Sequence, residues 1–385
     1  MDRRRYLATL GAAAALGGCA GRPEGGDGDG DAGAGGGGAT STDAGSVAVE
    51  TLATELEVPW GAAVRDGTLY LTERPGRIVR LVDGRVETVV ESVEGVEGVG
   101  EGGLLGLAFH PADPYAYTHQ TYETGSGLAN RLVRHDLTDG WAGEPLLTGI
   151  PGAHIHDGGR LLVHDDAIYV TCGDAAEAAN GQDADALAGS VLRLTLDGDP
   201  HPDNPFDSPV YSYGHRNPQG LAVRGGRLYS TEHGPHVADE INVLRAGENY
   251  GWPEATGPSD DNRFTDPLAH YSPTIAPASA AFYDGPIEAW RGDFFFGTLK
   301  AEHVRRVRFE GGETPRASDE PSGDGDEPRG RDRTVEQERL VEGEFGRIRT
   351  VFSGPDGHLH AVTSNRDGRG SPVAKDDRLL RFVPA

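Results

Sequence analysis

The chain has 385 residues, and 35 Lys+Arg against 61 Asp+Glu give it a formal charge of −26. Nucleic acid is excluded as a partner, because phosphate binding draws its free energy from clustered cations that release counterions, and this excess of carboxylate repels phosphate. The 58 glycines and 25 prolines argue against long helices, and two cysteines, Cys19 and Cys172, are too few for a disulfide framework or a cysteine-rich metal site. Only Lys300 and Lys375 are lysines, and an acidic, lysine-poor surface suits high salt.

The chain opens on Arg3-Arg4-Arg5, an apolar run from Ala8 to Leu16 and Gly17-Gly18-Cys19. An arginine pair before a short apolar stretch resembles a twin-arginine export signal, and the small residues before Cys19 resemble a lipoprotein cleavage box. The expectation is export with lipidation at Cys19, a signal over 1–19 and a flexible Gly/Asp-rich tether over 20–46. The apolar run is too short to span a bilayer, so contact with the membrane is expected only through the lipid. Cys172 then has no intrachain partner and reads as a small buried strand residue.

From Val47 onward one pattern recurs: a short apolar strand, a polar turn, and a strand of alternating apolar residues and arginine. Leu69–Glu73 precedes Ile78–Leu81, Tyr117–Tyr122 precedes Arg131–Arg134, and Ile168–Thr171 precedes Val191–Leu194. Leu228–Glu232 precedes Glu240–Leu244, Phe294–Thr298 precedes Val304–Val307, and Leu359–Thr363 precedes Leu379–Phe382. Six copies spaced 48 to 66 residues apart predict an all-β, six-bladed β-propeller over 47–385, with four short strands per blade. Two separate β-domains are the alternative. The acidic stretch at about 311–334 reads as a solvated insertion between blades.

Propellers place ligands on loops at the channel mouth, so polar residues that interrupt the strand pattern are the candidates. They are Glu101 before Gly102-Gly103, His154 and His156 before Asp157-Gly158-Gly159-Arg160, Asp174, Gln182, the run Gly214-His215-Arg216-Asn217-Pro218-Gln219-Gly220, His233-Gly234-Pro235, Asp239-Glu240, and Asn249-Tyr250-Gly251-Trp252-Pro253. Taken singly, each has a plainer reading. His156 could be a structural histidine in a turn, Arg305 and Arg308 show that alternating arginines can line a solvated strand face, and Asp239 and Glu240 could be surface acids.

The runs at 214–220 and 249–253 are specific, and on them the chain, from about Val58 to Phe382, resembles the soluble sugar dehydrogenases that use pyrroloquinoline quinone (PQQ), the glucose/sorbosone dehydrogenase family, in a halophilic archaeal type. The resemblance implies a six-bladed propeller with PQQ and Ca2+ as cofactors. It implies an aldose oxidised at its anomeric hydroxyl to a lactone, and electrons passed to an external acceptor. His156 resembles the general base, with Asp174 and Gln182 as groups that orient it. Arg216 and Asn217 resemble residues facing the quinone, and Lys300, Arg347 and Arg349 resemble the cations that hold its carboxylates. The carbonyls of Gly234 and Pro235 resemble calcium ligands, and Glu240 with Tyr250 a neighbouring calcium site. Glu101 departs from glucose-specific members, which carry glutamine there, so glucose itself is not implied. A propeller lactonase-type metal hydrolase and a non-catalytic carbohydrate-binding propeller are the alternatives.

Overall fold

The computed structural model describes residues 47–309 and 334–385. The expected signal, Cys19 and the tether over 20–46 lie outside them. Strand β1 (Val47–Ala53) is followed by a first blade of β2 (Pro59–Arg65), β3 (Thr68–Glu73), β4 (Arg77–Val82) and β5 (Arg85–Val90). The second blade is β6 (Leu104–Phe109), β7 (Tyr115–Thr124), β8 (Gly127–Asp136) and β9 (Ala142–Pro151). The third is β10 (Leu161–His164), β11 (Ala167–Cys172), β12 (Ser190–Thr195) and β13 (Val210–Tyr213). The fourth is β14 (Pro218–Arg224), β15 (Arg227–Glu232), β16 (Asp239–Leu244) and β17 (Ala269–Tyr271). The fifth is β18 (Pro277–Phe282), β19 (Phe294–Thr298), β20 (Val304–Phe309) and β21 (Thr334–Leu340). The sixth is β22 (Ile348–Ser353), β23 (Leu359–Thr363) and β24 (Leu379–Pro384), with β1 as its fourth strand.

These are six four-stranded antiparallel sheets, a six-bladed β-propeller. The six repeat copies read from the sequence fall on the second and third strands of successive blades. Closure was not visible in that pattern: β1 pairs antiparallel with β24, Val47 opposite Pro384 and Thr51 opposite Leu380, so the two ends of the described propeller complete one sheet. The acidic stretch placed between blades lies instead within the fifth blade, flanked by β20 and β21. Apart from Thr334, where β21 begins, it falls outside the described residues.

The core is a ring of wedges between blades. One wedge joins Tyr117 and Leu132 to Ile168, Cys172 and Leu192, the buried strand cysteine expected from the sequence. The Phe294-Phe295-Phe296 run shows how one strand serves two wedges. Phe294 and Phe296 pack with Tyr229 and Ile241 on one side, and Phe295 packs with Trp290, Ile348 and Phe382 on the other. Side chains alternate across a strand, so a strand buried on both faces carries an unbroken apolar run. Each such phenylalanine contributes on the order of 2–3 kcal/mol of burial.

At the axis, the first strands of neighbouring blades approach too closely for side chains. A Cβ on Gly106 would lie 2.4 Å from the Gly159 carbonyl oxygen, and one on Gly220 would lie 2.6 Å from that of Ala278. Deleting Val47–Ala53 leaves the outer edge of β24 unpaired and opens the ring. We expect a thermal midpoint lower by more than about 5 °C and increased self-association, read by calorimetry and light scattering. An unchanged midpoint would show that closure through β1 is dispensable.

Candidate functional site

The candidate site residues gather near the end of the propeller where first strands begin and second strands end. Glu101, His156, Arg216, Asn217 and Arg347 stand just before β6, β10, β14 and β22, while Asp174, Gly234 and Lys300 follow β11, β15 and β19. Antiparallel pairing makes those two sets of loops neighbours.

His154 and His156 are in a loop rather than on a strand, so their spacing does not place them on one face; His154 is exposed. His156 has a left-handed backbone (φ 65°), which costs a side-chain-bearing residue about 1–2 kcal/mol and is held by its surroundings. Its amide donates to Glu101 Oε2 at 2.9 Å, and its carbonyl accepts from Ala175 at 3.2 Å. Its Nδ1 lies 2.7 Å from Asp174 Oδ1. Because a carboxylate only accepts, the proton is assigned to Nδ1, which leaves the Nε2 lone pair free to take one. Asp174 is held in turn by Trp252, whose Nε1 donates to Oδ2 at 2.9 Å, and by the amide of Ala176. Gln182 reaches the base only through this chain. It donates to the Trp252 carbonyl at 2.7 Å and forms a reciprocal amide pair with Asn249, 3.1 and 2.9 Å.

Arg216 is set by the acid on its neighbouring strand. Glu232 accepts the Arg216 amide through one oxygen and His215 Nδ1 through the other at 2.8 Å, and His215 stacks on Tyr250 with ring centroids 4.8 Å apart. The Arg216 guanidinium lies 5.3 Å over Trp252 and donates to the Gly234 carbonyl at 2.9 Å. Asn217 Oδ1 accepts the Gly158 amide at 3.2 Å. Asp239 is fully buried rather than at the surface. Its carboxylate takes the amides of Gly234, Ile275 and Ala276 and the Thr274 hydroxyl, and so staples the Gly234 loop to the segment that supports Lys300.

Lys300 is exposed and has no ion pair among the described residues. Arg347 and Arg349 converge on Asp367 Oδ2, at 2.8 and 3.6 Å, and Arg347 also donates to the Leu299 carbonyl at 3.0 Å. Burial pushes the Arg349 guanidinium down to about 10, against the pull of Asp367. Burial alone would raise the Asp367 carboxyl, but Arg349 and Arg347 outweigh it and hold it below its ordinary range. Glu101 behaves in the same way: burial raises it, and Arg369, to which it is ion-paired, together with the His156 amide brings it below its usual value. Asp367, Arg369 and Arg74, whose guanidinium donates to the Asp367 carbonyl at 3.4 Å, were not singled out from the sequence. Trp252 and Glu232 stood inside the quoted runs without a role. Arg305, read as a solvated strand residue, is buried against Tyr271.

Four buried polar atoms here have no protein partner: Arg216 Nε, Asn217 Nδ2, His233 Nε2 and Arg349 Nε. Burial pushes His233 down to about 4, so its ring is neutral. Unmet donors beside a free lysine fit an oxygen-rich, anionic cofactor such as a quinone carrying carboxylates. For a metal the fit is narrower. Among the described residues no group of three or more His, Cys, Asp or Glu side chains could hold one, so backbone carbonyls such as those of Gly234 and Pro235 are the suitable donors for a hard cation. Glu240 is buried rather than exposed. Its oxygens accept from Asn242 and the Gly257 amide, and burial, then Glu232, pushes it up to about 8. The Tyr250 hydroxyl donates to the Val243 carbonyl at 2.6 Å, which leaves only the carbonyl of that residue for a cation.

Residues 56–380 match the Glucose / Sorbosone dehydrogenase family. The chain belongs to that family. Quinoprotein glucose dehydrogenase B of Acinetobacter calcoaceticus is 37% identical over 255 residues, 55% of this chain and 52% of that one. An aldose sugar dehydrogenase of Escherichia coli K12 is 27% identical over 359 residues, 84% of this chain and 91% of its own. The solved PQQ-bound aldose sugar dehydrogenase of Streptomyces coelicolor is 36% identical, with a TM-score of 0.75 over 88% of this chain and 98% of that one. These matches support an oxidoreductase acting on sugars, in a family whose members include a quinoprotein and a PQQ-bound enzyme.

The Asp367 carboxyl sits below its ordinary value of 3.8 in the native state, so its pairing stabilises the fold above that value and is lost as pH falls through the lower native one. Asp367→Asn strands two buried arginines, and we expect a loss of about 3 kcal/mol at neutral pH. Urea unfolding should show the deficit closing below about pH 4. A deficit that stays constant down to the acid limit would mean that Asp367 is not ionised in the native protein.

Proposed function

We propose that the protein is an exported, PQQ- and calcium-dependent aldose dehydrogenase that oxidises the anomeric C1 hydroxyl of an aldose to a lactone and passes the electrons to an external acceptor. The observation that carries this reading is the His156–Asp174–Trp252 chain, a free imidazole nitrogen set beside a cluster of unmet cationic donors. PQQ, when bound, supplies the electrophilic carbon that accepts hydride, with calcium polarising its oxygens.

His156 Nε2 takes the proton of the anomeric hydroxyl as the C1 hydrogen leaves with its electron pair, and the C1–O bond becomes the lactone carbonyl. Asp174 keeps the accepting nitrogen bare and stabilises the imidazolium that forms, while Trp252 prevents Asp174 from rotating away. Arg216, stacked on Trp252 and tied to the Gly234 carbonyl, keeps a buried, unpartnered Nε that would stabilise negative charge on the acceptor, and Asn217 Nδ2 would be a second donor. Lys300, Arg347 and Arg349 would hold the cofactor carboxylates, Lys300 as an exposed point charge and the arginines as forks already fixed by Asp367. The carbonyls of Gly234 and Pro235 would hold calcium, the Gly234 oxygen through the lone pair that Arg216 leaves, and a further ion would sit at Glu240 and the Tyr250 carbonyl. Export by the twin-arginine signal and a lipid on Cys19 would place the enzyme on the outer face of the membrane.

Reconstitution with PQQ and calcium, followed by dye reduction with a panel of aldoses, tests the whole reading. No PQQ-dependent absorbance change and no turnover with any aldose would reject it. His156→Ala is expected to lower kcat by about 10²–10⁴-fold while PQQ still binds, and full activity would remove it as the base. Lys300→Ala is expected to weaken PQQ binding roughly tenfold, measured by absorbance titration, with the fold unchanged.

A further inference from the structure

Below the catalytic loops, the first strands of four blades meet around one buried cation. Arg160, the residue before β10, reaches across the axis. Its Nε donates to the Gln219 carbonyl of β14 at 3.0 Å, its Nη2 to Thr350 Oγ1 of β22 at 3.4 Å, and its guanidinium lies 4.1 Å over the Trp60 ring of β2. No carboxylate pairs with it among the described residues. Gln219 also accepts Arg349 through Oε1 at 2.6 Å, so two guanidinium groups meet on one residue. Arg349 has an unpartnered Nε, and the one acid ion-paired with it among the described residues, Asp367, lies at 3.6 Å and pairs more closely with Arg347.

Burial pushes Arg160 down to about 9, with Arg349 lowering it further, and Arg349 down to about 10, so both stay charged at neutral pH. Taking a guanidinium out of water costs several kcal/mol. The face of Trp60 returns about 2 kcal/mol, and neutral acceptors do not cancel the charge. A buried cation of this kind wants a counter-ion, and among the described residues no carboxylate pairs with Arg160.

We propose that Arg160 and Arg349 form an anion seat in the central channel, filled by a free halide and lying beneath the place where the cofactor carboxylates would bind. The seat lies deeper than the catalytic loops, because Gln219 and Thr350 each stand beyond Asn217 and Arg347 along their first strands.

Ligand-free crystals soaked in bromide should show an anomalous peak within about 3.5 Å of both guanidinium groups. At constant ionic strength, replacing isethionate with chloride should raise the thermal midpoint by roughly 2 °C once chloride is tenfold above its dissociation constant. That rise should vanish in Arg160→Gln and return in part in Arg160→Lys. In crystals carrying both PQQ and bromide the peak should remain, and a cofactor carboxylate oxygen in its place overturns the seat as a halide site. No bromide peak in the ligand-free crystal, or a chloride-specific rise that survives in Arg160→Gln, overturns the seat. The ligand-free crystal needs neither PQQ nor activity and decides the matter even if the variants fail to fold.

Discussion

The ring closes through one strand pairing, β1 on β24, and the site depends on that closure. Six blades joined by apolar wedges can tilt against one another until the last sheet is complete, because dispersion and burial are not directional. Backbone hydrogen bonds are directional, and the register from Val47 opposite Pro384 to Ala53 opposite Leu379 fixes the angle at which the sixth blade meets the first. Arg349 from the sixth blade then reaches Gln219 of the fourth, and Arg369 reaches Glu101 before the second.

Charge is organised against the overall composition. The chain carries a formal −26, yet the channel mouth gathers Arg74, Arg216, Lys300, Arg347, Arg349 and Arg369 around Glu101, Asp174 and Asp367. Each of those acids has a positioning task. Asp174 sets the tautomer of His156, Asp367 aligns two arginine forks, and Glu101 pins a strained backbone. What remains is an excess of donors in a low-dielectric pocket, where an anionic cofactor gains more from them than it would at the surface. The surrounding carboxylates keep the molecule soluble and do not cancel the pocket, since exposed charges beyond about 10 Å are screened.

The middle strands of every blade were legible because side-chain alternation is local: Phe294-Phe295-Phe296 shows its two buried faces in three letters. His156, the pair Arg216 and Asn217, and the cations Lys300, Arg347 and Arg349 were singled out through the family resemblance that two short specific runs carry, Gly214–Gly220 and Asn249–Pro253. Their partners were not. Asp367 and Arg369 sit in a polar turn, Asn365-Arg366-Asp367-Gly368-Arg369-Gly370, whose composition is that of any surface loop. Asp239 and Glu240 read equally well as surface acids, and only burial separates the two readings.

The sequence by itself determined the number of blades, the two central strands of each, the family and the residue types at the channel mouth, because each of these is written in spacing and in contiguous runs. Tertiary structure alone decided the closure by β1, the pairing of Arg347 and Arg349 with Asp367, the Glu101–Arg369 pair that receives the His156 amide, and the meeting of Arg160 and Arg349 on Gln219. Those contacts join residues as far as 331 positions apart in chain order, as between Glu50 and Arg381. Their geometry follows from the radius and closure of the ring, which no local pattern carries.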